Sequence, residues 1–435
     1  MFNKKKIVYV PLAIDFIHSG HLNIIRTAKK FGKVVVGLLT DEAISQYKKL
    51  PTLNYEERLK IVSNIKDVDQ VIAQNDWDYS QTIKMLKPDY FIHGDDWKKK
   101  GTQKKIRSNV IKLLKKYSGK LIEPKYTQSI SSDDIKKKIL ENLTPNLRIS
   151  ILKRLIDKKK FVRVLEAHNP ISALIAEKAS YTKNGIVQEF DCMWSSSLAD
   201  STTRGKPDNQ SVDYSTRLFG LNEIFDVTTR PMIFDGDNGG EMHHIPYLIK
   251  TLERLGVSAI AIEDKIGVKQ NSLFADQSKS KQDSIKNFCK KIKLIQKTKK
   301  SNDFLLITRI ESLIMNKGLK DALKRAEAYS KAGCDLILIH SKSKHTKEIF
   351  EFSSQFKKSK YFKPLVCVPS TYSHVKEKDL IKNHFSVVIY ANHLLRSIYP
   401  AMTSAAEGIL KNQRSKDIEK KLTSIKEIIS LIPKI

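Results

Sequence analysis

Residues 232–265 read MIFDGDNGGEMHHIPYLIKTLERLGVSAIAIEDK. The stretch opens on an apolar strand, Met232–Asp235, and closes on a second, Ala259–Glu263, with a helix-length segment between them. Both strands run out into acid: Asp235 and Asp237 in the first case, Glu263 in the second. The rhythm recurs on either side. Val162–Ala167, Phe190–Ser195, Leu305–Arg309, Leu336–His340, Leu365–Val368 and Val387–Ala391 are further short apolar runs, each followed by enough chain for a helix. Eight such βα units in about 250 residues is the count of a (β/α)8 TIM-type barrel. Polar residues gather where the strands end: Glu166 and His168, Trp194 and Ser196, Glu263 and Lys265, Arg309 and Glu311, then His340. Barrels carry their chemistry at that C-terminal face. Residues that simply open a loop would explain a few of these, but not so many charges abutting apolar strands.

The chain before this region keeps a different rhythm. Lys6–Leu12, Val34–Leu39, Gln70–Ala73 and Tyr90–His93 read as strands, and Leu22–Phe31, Tyr55–Ile65 and Tyr79–Leu86 as helices between them. That pattern predicts a small Rossmann-like α/β domain with a parallel sheet, ending in a basic helix, Asp133–Asn142. The expected division is therefore 1–142, a linker and lead-in helix at 143–159, and the barrel with its C-terminal helices at 160–435.

Composition narrows the class. The 435 residues are 40% hydrophobic, ordinary for a globular protein. No apolar run is long enough to cross a bilayer, and Ile7–Ile17 is broken by Pro11 and Asp15, so neither secretion nor membrane insertion is expected. Four scattered cysteines without a CxxC pair predict neither a disulfide framework nor structural zinc, and fit a reducing cytoplasm. The formal charge of +31 comes from 64 lysines and 14 arginines spread along the whole chain. Nucleic-acid recognition favours clustered arginine forks. The charge therefore reads as solvated surface that also attracts anionic small molecules, with no nucleic-acid partner.

His18-Ser-Gly-His21 follows the first strand and opens a helix. Gly20 permits a tight turn, and the helix N-terminus offers free N–H groups to phosphate. Two histidines three apart can flank a phosphate bridge and stabilise charge as pyrophosphate leaves. With Asp15-Phe16, Thr40-Asp41, Lys48-Lys49, Tyr55-Glu-Glu-Arg58, His93-Gly-Asp-Asp-Trp97 and Ser129-Ile-Ser-Ser132, residues 1–140 resemble the cytidylyltransferase family, especially its glycerol-3-phosphate and ethanolamine-phosphate branches. The resemblance implies that His18 and His21 hold the triphosphate and stabilise the transition state. It also implies that Lys49 neutralises phosphate charge, that Asp15, Phe16, Arg58, Asp95 and Trp97 belong to the nucleotide site, and that Ser131 and Ser132 cap a helix facing phosphate. Mg²⁺ would accompany CTP as substrate. The family's late motif begins with arginine; here Tyr126 stands there, with Lys125 beside it and Ser129 in place of glycine.

In the barrel, Asp235, Asp237 and Glu263 form an oxygen-rich set suited to Mg²⁺ and an anionic substrate. A rim salt bridge through Lys265 is the plainer alternative, although two aspartates leaving one strand call for a cation. Arg309 and His340 offer donors to a phosphoryl group. Residues 160–412 resemble the phosphoenolpyruvate mutase branch of the isocitrate lyase superfamily. The matching stretches are Glu166-Ala-His-Asn169, Trp194-Ser-Ser-Ser-Leu198, Arg204-Gly-Lys-Pro-Asp208, Asp235-Gly-Asp237, Thr308-Arg-Ile-Glu311, His340-Ser-Lys342 and Ala391-Asn-His393, and above all Glu263-Asp-Lys-Ile-Gly-Val-Lys-Gln-Asn-Ser272.

This second resemblance implies Asp235 as a direct Mg²⁺ ligand, with Asp237 and Glu263 holding its waters. Trp194, Ser196, Ser197 and Leu198 would position the pyruvoyl part, and Asn271, Ser272, Arg309 and His340 the phosphoryl group. Asp208, on a lid, would be the catalytic carboxylate, and Lys269 would belong to a second lid. Ser197 stands where the family commonly has glycine. The implied whole is a bifunctional enzyme of phosphonate biosynthesis. It would take phosphoenolpyruvate to 3-phosphonopyruvate, pass CMP from CTP to a phosphonate, and work as a homo-oligomer with exchanged C-terminal helices. A phosphonopyruvate hydrolase barrel and a non-catalytic scaffold are the alternatives; Asn271 favours the mutase.

Overall fold

The computed structural model describes residues 6–47, 50–98, 102–124, 145–184, 186–267, 269–273, 277 and 280–432. The chain divides into two compact units, Met1–Leu143 with Ser180–Gln188, and Thr144–Ala179 with Glu189–Ile435.

The first unit is built on five parallel strands, β1 (Ile7–Leu12), β2 (Lys33–Leu39), β3 (Gln70–Gln74), β4 (Tyr90–Ile92) and β5 (Lys120–Ile122), in the order β3-β2-β1-β4-β5. Alternate residues of β1 feed two separate apolar layers. Val8 and Val10 pack with Ile25, Ala28 and Val62 on one face, and Tyr9 packs with Ile83, Phe91 and Val110 on the other. The strand order reverses between β1 and β4, and ligands of open α/β sheets bind outside the strand ends at such a point. The segments that follow those strands carry His18 and His21 after β1, and His93 to Trp97 after β4. Helix Thr102–Lys116 and β5 were not expected from the sequence.

The second unit contains all eight expected strands, closed into a parallel barrel. They are β6 (Val162–Glu166), β9 (Cys192–Ser195), β10 (Met232–Asp235), β11 (Ala259–Glu263), β14 (Leu305–Ile310), β15 (Leu336–Ile339), β16 (Leu365–Cys367) and β17 (Phe385–Tyr390). In Leu336–Ile339 every residue is buried, because the strand faces packed barrel on one side and helices on the other. Helix Ile245–Leu255 shows how the outer layer forms. Ile245, Leu248, Ile249 and Leu252 fall on one buried face, and Gly256 closes the helix at φ +85°, where a side chain would be strained.

Two antiparallel hairpins interrupt the pattern: β7–β8 (Ser180–Lys183 and Ile186–Glu189) and β12–β13 (Lys265–Gly267 and Ser280–Gln282). The second leaves directly from β11, so its loop stands over the strand ends. Among the described residues, no helix is long and apolar enough to cross a membrane.

Candidate active site

The C-terminal ends of the barrel strands enclose a cavity lined by Trp194, Ser196, Ser197, Leu198, Asp208, Asp235, Glu263, Lys269, Asn271, Ser272, Arg309 and His340. These are the substrate, lid and metal residues expected from sequence, except Asp237, which lines a neighbouring cavity with Tyr214 and Asn238. Gly236 separates Asp235 from Asp237, and a Cβ there would come within 2.7 Å of Ile260 Cδ1. Glu166 and His168 do other work. Glu166 pairs with His168 and accepts the backbone N–H groups of Leu394 (3.0 Å) and Leu395 (3.2 Å), tying helix His393–Asn412 to β6.

One wall is negative. Ser197 presents its N–H (3.3 Å) and hydroxyl (3.0 Å) to Asp235 Oδ2, and the Asp237 N–H reaches Asp235 Oδ1 at 3.2 Å. Burial would raise the Asp235 carboxyl, but Lys269, Arg309 and Arg217 outweigh it and hold it low. Asp237 is raised by burial and by Asp235, against Lys269 and Arg217. Burial pushes Glu263 up to about 7 despite Arg309 and Lys265. Lys269 supplies the compensating charge: its Nζ pairs with Asp237, lies 2.5 Å from Asp208 Oδ1 and donates to Ser197 Oγ at 2.6 Å. Asn271 Nδ2 donates to the other Asp208 oxygen at 2.8 Å. The two expected lid segments therefore meet across the cavity.

The opposite wall is a nest of donors. Arg309 Nη2 donates to Ser272 Oγ (2.8 Å) and lies 3.3 Å from Glu263 Oε2. Lys265 Nζ donates to Ser272 Oγ (2.8 Å) and to the Gln270 carbonyl (2.9 Å). Burial, then Arg309, lowers the His340 pKa, against the pull of Glu311. Behind these donors sits Glu311, to which sequence reasoning gave no role. Asn392 was passed over in the same way; it lines the cavity, and its buried Oδ1 has no hydrogen-bond partner among the described residues.

Among the described residues, no three acidic, histidine or cysteine side chains converge closely enough to hold a metal unaided. Mg²⁺ does not require them to. It keeps several waters and takes one or two carboxylates together with its substrate. The buried oxygen donors Asp235, Asp237 and Glu263, two of them raised by burial, fit that ion.

In the first unit His18 caps helix Ser19–Lys29, its Nδ1 accepting the Gly20 N–H at 3.2 Å. Burial lowers the His18 pKa, so the ring is neutral with its proton on Nε2, a donor available to phosphate. The His21 ring lies 3.9 Å away, centroid to centroid. Asp15 accepts the Thr52 N–H at 2.5 Å, Phe16 is half-buried beside it, and Asp95 is half-buried at the end of β4.

Two expected nucleotide ligands are corrected. Arg58 is fully buried; it donates to the Ala13 (2.7 Å) and Leu39 (2.9 Å) carbonyls and pairs with Asp41 at 2.6 Å, which makes it a strap under the loop. Trp97 is 2% exposed, stacked on His93, with its indole N–H on Glu123 at 2.7 Å, so it packs the core. Lys49, Lys125, Tyr126, Ser129, Ser131, Ser132 and the basic helix Asp133–Asn142 lie outside the described residues.

Comparison with known proteins agrees with both halves. The family model described as phosphoenolpyruvate phosphomutase matches residues 152–410, and the one described as cytidylyltransferase-like matches residues 14–138. Phosphoenolpyruvate phosphomutase of Tetrahymena pyriformis is 34% identical over 281 residues, 64% of this chain and 89% of that protein. The crystal structure of phosphoenolpyruvate phosphomutase from Streptomyces platensis subsp. rosaceus superposes with a TM-score of 0.60 at 32% identity, covering 65% of this chain and 94% of that one. Phosphonopyruvate hydrolase in complex with oxalate and Mg²⁺ gives 0.58 at 31% identity, covering 66% and 95%.

Proposed function

Because the chain belongs to the phosphoenolpyruvate phosphomutase family, we propose that it is a bifunctional enzyme of phosphonate biosynthesis. The barrel interconverts phosphoenolpyruvate and 3-phosphonopyruvate, and the first unit transfers CMP from CTP to a phosphonate. The observation that carries the barrel reading is the pairing of a carboxylate wall at Asp235, Asp237 and Glu263 with a donor wall at Arg309, His340 and Ser272, closed over by Asp208, Lys269 and Asn271. In the reaction the P–O bond of phosphoenolpyruvate breaks and its electron pair becomes the new carbonyl. The enol carbon then supplies the pair that forms the C–P bond.

Positioning and cationic clamps dominate such a transfer. Arg309, His340 and Asn271 hold the phosphoryl oxygens beside Ser272, and Trp194 with Ser196, Ser197 and Leu198 holds the pyruvoyl end. Asp235, Asp237 and Glu263 would hold Mg²⁺, which would supply positive charge to the anionic substrate. Asp208 is the catalytic carboxylate, oriented by Lys269 and Asn271. The Asp208–Asn271 contact seals the lid against water and so favours intramolecular transfer over hydrolysis.

Phosphorus NMR with phosphonopyruvate and Mg²⁺ tests this reading. A phosphoenolpyruvate resonance is expected, inorganic phosphate would identify a hydrolase, and an unchanged spectrum would leave a scaffold. For the first unit, whose His18 and His21 stand at the sheet's switch point, a CMP-phosphonate with pyrophosphate should appear from CTP, Mg²⁺ and a phosphonate.

The reading includes a homo-oligomer. Helix His393–Asn412 buries no side chain and exposes Tyr399, Met402 and Leu410, an apolar surface that a second copy of the chain would cover. A monomer by sedimentation at micromolar concentration would overturn that part.

A further inference from the structure

We infer that Glu311 is the positioning residue of the donor wall. It is a buried anion that reaches no substrate itself and sets the aim of the groups that do. The inference rests on the reading that Arg309, His340 and Ser272 face a phosphoryl group.

Glu311 is fully buried at the end of β14, and both carboxylate oxygens are taken up by cavity residues. Oε1 pairs with Arg309 Nε and lies 3.0 Å from His340 Nδ1. Oε2 accepts the Ser272 hydroxyl at 2.6 Å and stands 3.7 Å from Lys265 Nζ. Burial would raise the carboxyl, but Arg309 and His340 hold it well below the usual carboxylate range. An ionised carboxylate only accepts, at about four lone-pair sites. Here those sites organise donors that reach it from β12, the β12–β13 loop, β14 and the residue after β15.

Glu311 determines what each partner can offer. With its Nε held, Arg309 turns Nη2 toward Ser272. With its Nδ1 engaged, His340 keeps Nε2 for the cavity. Ser272, donating its proton to Glu311, accepts from both Arg309 and Lys265 and draws the two cations together. Without the anion between them, these cations would repel one another and splay. A purely structural ion pair would face the helices, whereas Arg309, His340 and Ser272 all line the cavity.

Glu311 is itself anchored from outside the barrel. Its N–H donates to Asp264 Oδ1 at 3.0 Å, and Asp264 is held by Tyr329 (2.7 Å), Gln282 (3.0 Å) and Arg325 (3.1 Å). The aim of the donor wall is thereby referred to the outer helix Gly318–Ala332.

The test uses the full chain with Glu311→Gln and Glu311→Asp. Three quantities are measured: phosphonopyruvate turnover with Mg²⁺, calorimetric binding of oxalate with Mg²⁺, and calorimetric binding of inorganic phosphate. Oxalate carries no phosphoryl group and so does not need the donor wall. For Glu311→Gln we expect kcat/KM and phosphate affinity to fall about 10–100-fold, the scale of a lost supporting partner, with oxalate affinity unchanged. Glu311→Asp keeps the charge but withdraws it from its donors, and should show the same split to a smaller degree; it also serves should the glutamine variant not fold. A parallel loss of oxalate and phosphate binding would reduce Glu311 to a stability residue, and unchanged phosphate affinity would refute the inference outright. A wild-type protein that binds phosphate yet leaves phosphonopyruvate untouched would overturn the proposed reaction, while Glu311 would still be judged on phosphate affinity.

Discussion

Lys269→Met removes one ammonium and little volume, and the structure sets its cost. Lys269 Nζ pairs with Asp237 and stands 2.5 Å from Asp208, and both carboxylates are less than a tenth exposed. Two unit charges about 3 Å apart interact by roughly 5 kcal/mol at an effective dielectric of 20, before the cost of desolvating the ammonium. Breaking a buried pair by removing one partner costs about 3–5 kcal/mol. Asp237, already raised by burial, recovers part of that by binding a proton. In a unit of this size about 1 kcal/mol shifts Tm by 2–4 °C, so the metal-free barrel transition should fall by roughly 6–20 °C. Mg²⁺ brings charge to the same carboxylates, so the variant should gain more Tm from Mg²⁺ than the wild type does. Thermal scans of both proteins, with chelator and with saturating Mg²⁺, measure this. Equal melting temperatures without metal, or equal shifts with it, would show that Lys269 does not stand in for a cation.

Asp208→Ala should lower turnover at least about 10²-fold, the worth of a positioned catalytic group, with the Tm close to that of wild type; near-native conversion would remove Asp208 from the chemistry. His18→Ala should cost nucleotidyl transfer about 10²–10³-fold while barrel turnover is unchanged, and a joint loss would contradict separate sites. Glu263 at about 7 and the raised Asp237 bind protons below neutrality that Mg²⁺ must displace. Metal affinity should therefore strengthen by about tenfold per pH unit per proton as pH rises toward about 7, and level above it. Calorimetric titrations from pH 5.5 to 8 check the sign, and a flat profile would place the metal elsewhere.

The barrel was legible because burial on both faces writes its strands as unbroken apolar runs, and because the polar residues ending those runs share one rim. What the sequence could not show was direction. Arg58 and Trp97 belong to motif-like stretches, yet both turn inward, since nothing in the chain reveals that Asp41 and Glu123 await them. Glu311 lay in plain view two residues after Arg309, but its value comes from His340 and Ser272, which arrive from other segments of the chain. Hairpin β7–β8 escaped notice for the opposite reason: its first strand, Ser180–Lys183, is exposed throughout and carries no burial signature.

The loop between β12 and β13 carries Lys269, Asn271 and Ser272 within four residues. Two of them close over Asp208 and the third completes the donor wall around Arg309. With about 3.3–3.6 Å of chain per residue, the loop cannot lift Lys269 far from Asp208 while leaving Ser272 in place. Gate and recognition element are one mechanical part. A displacement at either end of the segment is therefore felt at the other.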